Sequence, residues 1–415
     1  MFFKNVKMVN VSIYLIALLP LLSLFMVSIA IIAFSIGALL NSFYYQKIKQ
    51  IKIESLKVVL LCVLPFLMYL ISLLWTEDFN SGLKIIEKNL AFLILPSVVF
   101  VLKPFKTCAQ LKIFKKIFVC SAAFSVIITS CYLLFNLRGI LTAQNAYSIN
   151  IKLRESIELV PIIGEHSIYF SLILALAIVL LFFNSFNYRW LNIALYVLFI
   201  LGISIASSKG VILAVLLVVV VGVFQRFRNI KKAITVLFFS FLCFGFIVYF
   251  SPIKERLNEI IESKYIYPEG VHYNSFNLRM AIYNCSLSLI KDTPIIGFAP
   301  ADTQKQLNEC YKKFNTNAFF EKNYNTHNQY FDYFLSFGIL GLMIILFSFT
   351  YFLRIAIVNN NYEYLCFLTL FYTAFLTENI LVRNTGIVLF VTFNCLFAYS
   401  TLFTKELNQN LNLKS

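Results

Sequence analysis

Long apolar runs broken by short polar stretches set the pattern of this chain. A helix that crosses a bilayer needs about 20 mostly apolar residues. On that template, runs fall near 57 to 74, 88 to 102, 112 to 135, 166 to 183, 189 to 206, 209 to 225, 231 to 250, 328 to 353, 363 to 377 and 385 to 404. The stretch from Val9 to Phe43 is too long for one span and just enough for two short ones, with Pro20 and Gly37 as expected irregularities. The pattern predicts an all-α, polytopic transmembrane bundle of about 12 spans. Lys4 and Lys7 precede the first run and no small-residue cleavage site follows it, so the run reads as a retained span.

The polar stretches predict orientation. Lys47, Lys49, Lys52 and Lys57 form one basic loop, Lys103, Lys106, Lys112, Lys115 and Lys116 a second, and Arg226, Arg228, Lys231 and Lys232 a third. Successive basic loops are separated by even numbers of predicted helices, as the positive-inside rule requires. The chain then divides into N-terminal helices (1 to 250, with an outer loop near 136 to 165), a large outer loop (251 to 326), and C-terminal helices with a short cytoplasmic tail (327 to 415). The large loop is nearly charge-balanced, with nine Lys+Arg and eight Asp+Glu. A structureless loop of that length is uncommon in a compact protein. Two amphipathic helices are expected in it, Asn277 to Lys291 and, capped by Asp302, Thr303 to Phe314.

Composition agrees with a bilayer as the solvent. Of 415 residues, 60% are hydrophobic, 17% aromatic and 13% charged, and soluble domains carry roughly 25% charged residues. The net charge of +16 sits in short loops between apolar runs, which argues for topology signals and against nucleic acid as a partner. The nine cysteines show no Cys/His cluster at metal-ligand spacing, so neither metal nor cofactor is expected. Cys285 and Cys310 share the large loop, where a disulfide and two free thiols are both compatible with the sequence.

Candidate chemistry gathers on the predicted outer side. His327, in Asn325-Thr326-His327-Asn328-Gln329-Tyr330, lies where the large loop re-enters the membrane, and an imidazole there suits a general base. Arg279 offers a rigid fork of donors for a diphosphate. Lys209, in a tight connection between two apolar runs, is costly unless it has a task or an interfacial position. Glu378 and Arg383 flank the last outer turn and are expected to pair with each other. His166, at the outer start of its span, has Glu165 as its nearest acidic neighbour in sequence. This one-sided distribution argues against a transporter, which would concentrate such groups near the midplane.

Taken in order, these segments resemble the O-antigen ligase family. The blocks are Trp75-Thr76-Glu77-Asp78 with Gly82-Leu83-Lys84, Glu165-His166-Ser167-Ile168-Tyr169, Ser207-Ser208-Lys209-Gly210, Arg279 through Gly297, His327 through Gly341-Leu342, and Leu376-Thr377-Glu378-Asn379. The resemblance implies a GT-C-like helical fold in the bacterial inner membrane with a helical periplasmic loop. It also implies transfer of a glycan from an undecaprenyl-diphosphate carrier to a lipid A core or other glycan acceptor. In that picture His327 deprotonates the acceptor, Arg279 and Lys209 hold the diphosphate without a metal, and Arg383, His166 and Glu378 complete the substrate site. The family usually has arginine where this chain has Lys209, and lysine keeps the charge without the bidentate fork. Polymerases of O-antigen or capsule, and protein O-oligosaccharyltransferases, share carrier and topology and differ in the acceptor.

Overall fold

The computed structural model describes residues 11–44, 53–142, 146–227, 229–250, 265–292 and 295–404, with single positions at 254, 258, 261, 263 and 407. Several expectations lie outside the described residues: Lys4 and Lys7, the first basic loop apart from Lys57, Arg228, most of 251–264, the Thr293-Pro294 turn and most of the C-terminal tail.

A short 3-10 segment, Ile16–Leu21, opens the described chain. The helices that follow are α1 (Leu24–Tyr44), α2 (Ile53–Ser72), α3 (Phe79–Asn89), α4 (Ala91–Ser97), α5 (Cys108–Phe135), α6 (Ala146–Glu158), α7 (Ser167–Phe183), α8 (Arg189–Ala206), α9 (Lys209–Arg226), α10 (Ile230–Phe250), α11 (Ser275–Asp292), α12 (Pro300–Tyr311), α13 (Gln329–Val358), α14 (Tyr362–Phe375) and α15 (Asn384–Leu402). Eight helices among the described residues are long and apolar enough to cross a membrane, and the protein is a polytopic helical membrane protein. The remaining predicted runs are taken by the apolar Val11–Leu21, by α7, and by α10 and α14.

The N-terminal stretch departs from expectation in one respect. Pro20 does fall in the irregular 3-10 segment, but Gly37 interrupts nothing, and α1 runs through it as a helix of 21 residues. A lone glycine costs about 1 kcal/mol in a helix interior, too little to break a span whose alternative is bare backbone in lipid.

Helix α15 is the axis of the bundle, with 83% of its apolar window buried inside the protein. Lipid tails are as apolar as leucine, so helices in a bilayer associate through close packing rather than hydrophobic exclusion. Here aromatic rings supply much of that packing. Phe393 on α15 meets Phe118 of α5 edge-on at 4.8 Å, and Phe390 stacks on Phe367 of α14 at 5.9 Å. Lys115 pairs with Glu363 at 2.6 Å, and Asn184 donates to the same carboxylate at 2.6 Å. This pair lies at the end of the bundle that holds the Asn359–Tyr362 turn, opposite the N-terminus of α9.

The large loop folds as expected, into α11 and α12 plus a short helix at Ala318–Glu321. It has its own small core of Ile282, Cys285, Leu307 and Tyr311, which reaches the bundle through Leu335 of α13. Cys285 and Cys310 are joined by a disulfide that ties α11 to α12. Asp302 does not cap a helix, because α12 begins earlier, at Pro300. Its carboxylate instead accepts from Thr76 Oγ1 and the Glu77 amide, both at 2.8 Å, and from the Asp78 amide at 3.3 Å. Three donors on one carboxylate bind more strongly than one local cap bond. The same block donates from Trp75 Nε1 to the Gly297 carbonyl at 3.1 Å, so the Trp75–Asp78 motif fastens the loop to the bundle.

A second fastening uses glycine. Residue Gly338 breaks α13 with φ +67, a backbone conformation that glycine adopts without strain. The chain at Phe298 and Ala299 docks there, donating to the carbonyls of Leu335 at 2.8 Å and Ser336 at 3.1 Å. A β-carbon on Gly338 would lie 2.0 Å from the Ile295 carbonyl oxygen, so only glycine fits.

Candidate active site

Two sequence blocks zip together to make the centre of the site. Asn328 caps α13 by accepting from the Tyr330 and Phe331 amides, and its side-chain nitrogen donates to the Leu376 carbonyl at 3.1 Å. Gln329 accepts from the Leu381 amide at 2.7 Å. Asn379 donates to Thr326 Oγ1 at 2.9 Å and to Asp332 at 3.0 Å. These side chains are buried, and a fully paired buried polar network fixes geometry. It therefore holds residues 326–329 against 376–381 and brings His327 to Glu378.

The contact is direct: His327 Nδ1 lies 2.9 Å from Glu378 Oε2. The other oxygen, Oε1, accepts from Arg279 Nη2. One carboxylate thus holds a guanidinium and an imidazole. Burial pushes the Glu378 carboxyl up, but the facing His327 and the Arg279 guanidinium outweigh it and hold the carboxyl below its ordinary range. An ionised carboxylate accepts from Nδ1–H, which leaves Nε2 with its lone pair for a proton. His327 itself has left-handed backbone, φ +46. Its amide donates to Asn325 Oδ1 at 3.1 Å, and its carbonyl accepts from Tyr283 OH at 3.3 Å. Left-handed backbone is uncommon for a residue with a β-carbon and persists where neighbours fix it.

Lys209 enters from another wall. The tight connection before it places Ser207 in the left-handed region, φ +49, and α9 starts at Lys209. A β-carbon at Gly210 would come within 1.9 Å of Thr377 Oγ1, so glycine lets the first turn of α9 lie against the residue preceding Glu378. Lys209, Arg279, Glu378 and Arg154 all line one cavity of about 240 Å³. His327 reaches the cavity through Glu378.

The expected pairing of Arg383 with Glu378 is corrected, and His166 finds a partner other than its neighbour Glu165. Arg383 does not take Glu378, which is occupied by Arg279 and His327. Its guanidinium lies over the Tyr169 ring, 5.8 Å from the centroid. His166 Nε2 faces Glu158 Oε1 at 3.5 Å, while Glu165 accepts instead from Thr385 Oγ1 at 2.6 Å. His166 also caps α7, its Nδ1 accepting from the Ile168 amide at 3.4 Å. Burial, and then the positive fields of Arg383 and Arg154, lower the His166 pKa to about 4, so the ring is neutral near pH 7.

That shift predicts a pH effect. An unfolded chain protonates His166 more readily than the folded protein does. The stabilising contribution of the neutral ring is therefore complete above pH 6.5 and is lost as pH falls toward about 4. Thermal unfolding followed across this window should show a steeper fall in Tm for the wild type than for His166→Asn, which retains a cap acceptor. Parallel curves would remove His166 from this linkage.

The structure thus gathers Arg279, Glu378, His327 and Lys209 in one place and sets His166 and Arg383 on its flank. The roles of Asn379 and Thr326 as organisers, and the position of Arg154 at the cavity, were missed from sequence. The one available signal was that Thr326 and Asn379 each adjoin a titratable residue, His327 and Glu378.

No curated protein matches the chain. Residues 194–346 match the family model described as O-antigen ligase. That stretch runs from α8 through α13 and contains Lys209, Arg279 and His327. Over that stretch the chain is similar to the O-antigen ligase family.

Proposed function

We propose that this protein is a glycosyltransferase of the bacterial inner membrane that moves an O-antigen-type glycan from undecaprenyl diphosphate to a hydroxyl of a lipid A core acceptor. The large loop and the site would face the periplasm. The observation that carries this reading is the single carboxylate of Glu378 holding both Arg279 and His327 beside a cavity that Lys209 also lines.

The chemistry follows from those placements. A new bond forms between the acceptor oxygen and the anomeric carbon, and the bond from that carbon to the diphosphate oxygen breaks. His327 Nε2 takes the acceptor proton, with Nδ1 anchored on Glu378. The electron pair leaves with the undecaprenyl diphosphate, whose growing charge Arg279 and Lys209 offset. Fixed cations aimed at a developing anion are often the largest single contribution to such a step. Arg383, beside the flank of the site, adds positive field. The reading needs no metal or other cofactor.

The test is transfer from a purified undecaprenyl-diphosphate glycan to purified lipid A core by the full chain in nanodiscs, with chelator present. Chelator-resistant transfer to core lipid is the expected result. Elongation of carrier-linked glycan without core transfer would instead assign a polymerase, and transfer to Ser or Thr of a protein an oligosaccharyltransferase. Loss of all transfer on chelation would overturn the metal-independent step.

A further inference from the structure

Helix α13 is longer than a bilayer crossing requires. Its 30 residues would rise about 45 Å, against a hydrocarbon layer about 30 Å thick. The part from Gly338 to Val358 rises roughly 30 Å by itself, and the polar Asn359-Asn360-Asn361 turn closes it at the far end. The break at Gly338 therefore falls near the membrane surface on the side of the site. Helix α2 gives the same level independently. It runs 20 residues from Ile53 to Ser72, a rise of about 30 Å, and Trp75 follows just beyond its end, at the depth where tryptophan is enriched. The Trp75 indole donates to the Gly297 carbonyl, and the backbone of Ile295 and Ile296 lies against Gly338. Two spans thus hold one short turn, the chain just after α11, at that level.

The turn is apolar and bare. Ile295 is 61% exposed and Ile296 56%, although their backbone is fixed against α13. Beside them, Leu74 at the end of α2 is 84% exposed and Leu340, two residues past Gly338, is 58% exposed. Scattered apolar side chains on a surface need no explanation, but a contiguous patch marks an interaction surface. Here the patch continues the face that α13 turns outward below Gly338, where Met343 and Phe347 are also exposed. On a spanning helix such a face meets acyl chains. Charges limit how deep the turn can go. Lys291 and Asp292 are exposed at the end of α11, and Lys305 of α12 forms an exposed pair with Glu77 at 2.8 Å. Such groups stay at headgroup level, so only the two isoleucines enter the apolar layer.

We infer that Ile295 and Ile296 insert among the acyl chains of the leaflet on the side of the site, as a footing that fastens the α11 end of the large loop to the bilayer. The partner is the lipid itself. The inference needs only that α2 and α13 cross the membrane, and it stands whatever group the site transfers. Because α11 also carries Arg279, the footing gives the helix that reaches Glu378 a hold on the membrane at its other end.

The experiment is fluorescence quenching of the full chain in phosphatidylcholine nanodiscs. The chain has two tryptophans, Trp75 and Trp190, so Trp190→Phe leaves Trp75 alone and keeps its bond to Gly297. Ile295→Trp and Ile296→Trp, each made in that background, add one indole at the turn. The added emission should be quenched at least about twofold more by phosphatidylcholine brominated on its acyl chains than by aqueous iodide. Stronger quenching by iodide, or quenching by neither, overturns the insertion. The footing is tested by the exchange of the Phe298 and Ala299 amides, which donate to Leu335 and Ser336. Ile295→Asp with Ile296→Asp should speed that exchange about tenfold, and Ile295→Leu with Ile296→Leu should leave it unchanged. A wild-type rate in the aspartate pair overturns the footing. If the aspartate pair loses its melting transition, the tryptophan variants, which keep the turn apolar, decide by quenching alone.

Discussion

Replacing His327 with alanine is expected to lower the rate of glycan transfer by about 100- to 10,000-fold, the usual contribution of a positioned general base. The loss should appear in kcat with little change in donor affinity, because the imidazole acts on the acceptor proton while the diphosphate is held elsewhere. Side-chain pairing of the His327 backbone amide with Asn325 survives the substitution, so the loop should stay folded and the melting temperature should change little. Transfer rates at saturating donor, measured in membranes with matched protein levels, decide the matter. A variant that keeps wild-type kcat would take His327 out of the chemistry.

The second large effect is expected at Glu378. Glu378→Gln keeps shape and some hydrogen bonding but removes the charge that faces both Arg279 and His327. Two consequences follow from one substitution. The imidazole loses the acceptor that fixes its tautomer, and groups that orient a functional histidine typically contribute 10- to 100-fold. The Arg279 guanidinium, released from its partner, gains effective positive charge and should bind diphosphate more tightly. The expected signature is therefore a fall in kcat of about 10- to 100-fold together with a lower KM for the carrier-linked donor. Arg279→Ala should move KM the opposite way. If Glu378→Gln raised KM and left kcat alone, Glu378 would belong to binding and not to the orientation of His327.

These predictions rest on contacts of very different visibility. Each span was legible because the bilayer imposes a length and a composition on every crossing, and α2 and α5 carry that imprint without help from the rest of the fold. The two loop helices were legible because an amphipathic period and a stop signal are local properties. Partners were not local. Glu378 was assigned to Arg383, five residues away, but it belongs to Arg279, 99 positions earlier. Asp302 was read as a cap by a rule spanning three residues, and it in fact receives donors from a segment 226 residues distant. Rules of short range find the nearest charge, whereas a folded bundle offers the best-placed one. Gly338 shows the same limit, since its need for left-handed backbone comes from the Ile295–Ala299 chain docking against it, which no pattern around Gly338 encodes.

Helix lengths add a consequence for where the donor meets the protein. Helix α14 has 14 residues, a rise of about 21 Å, and Glu378 follows it after Leu376 and Thr377. The hydrocarbon layer is about 30 Å thick. On the proposed reading, an upright α14 starting at one surface of that layer would end short of the other, which would set Glu378 below the outer surface. On the proposed reading, an undecaprenyl chain would keep its tail in lipid and slide its diphosphate sideways into a sunken polar notch. The glycan would remain in water above it, and the carrier would never have to be lifted out of the membrane.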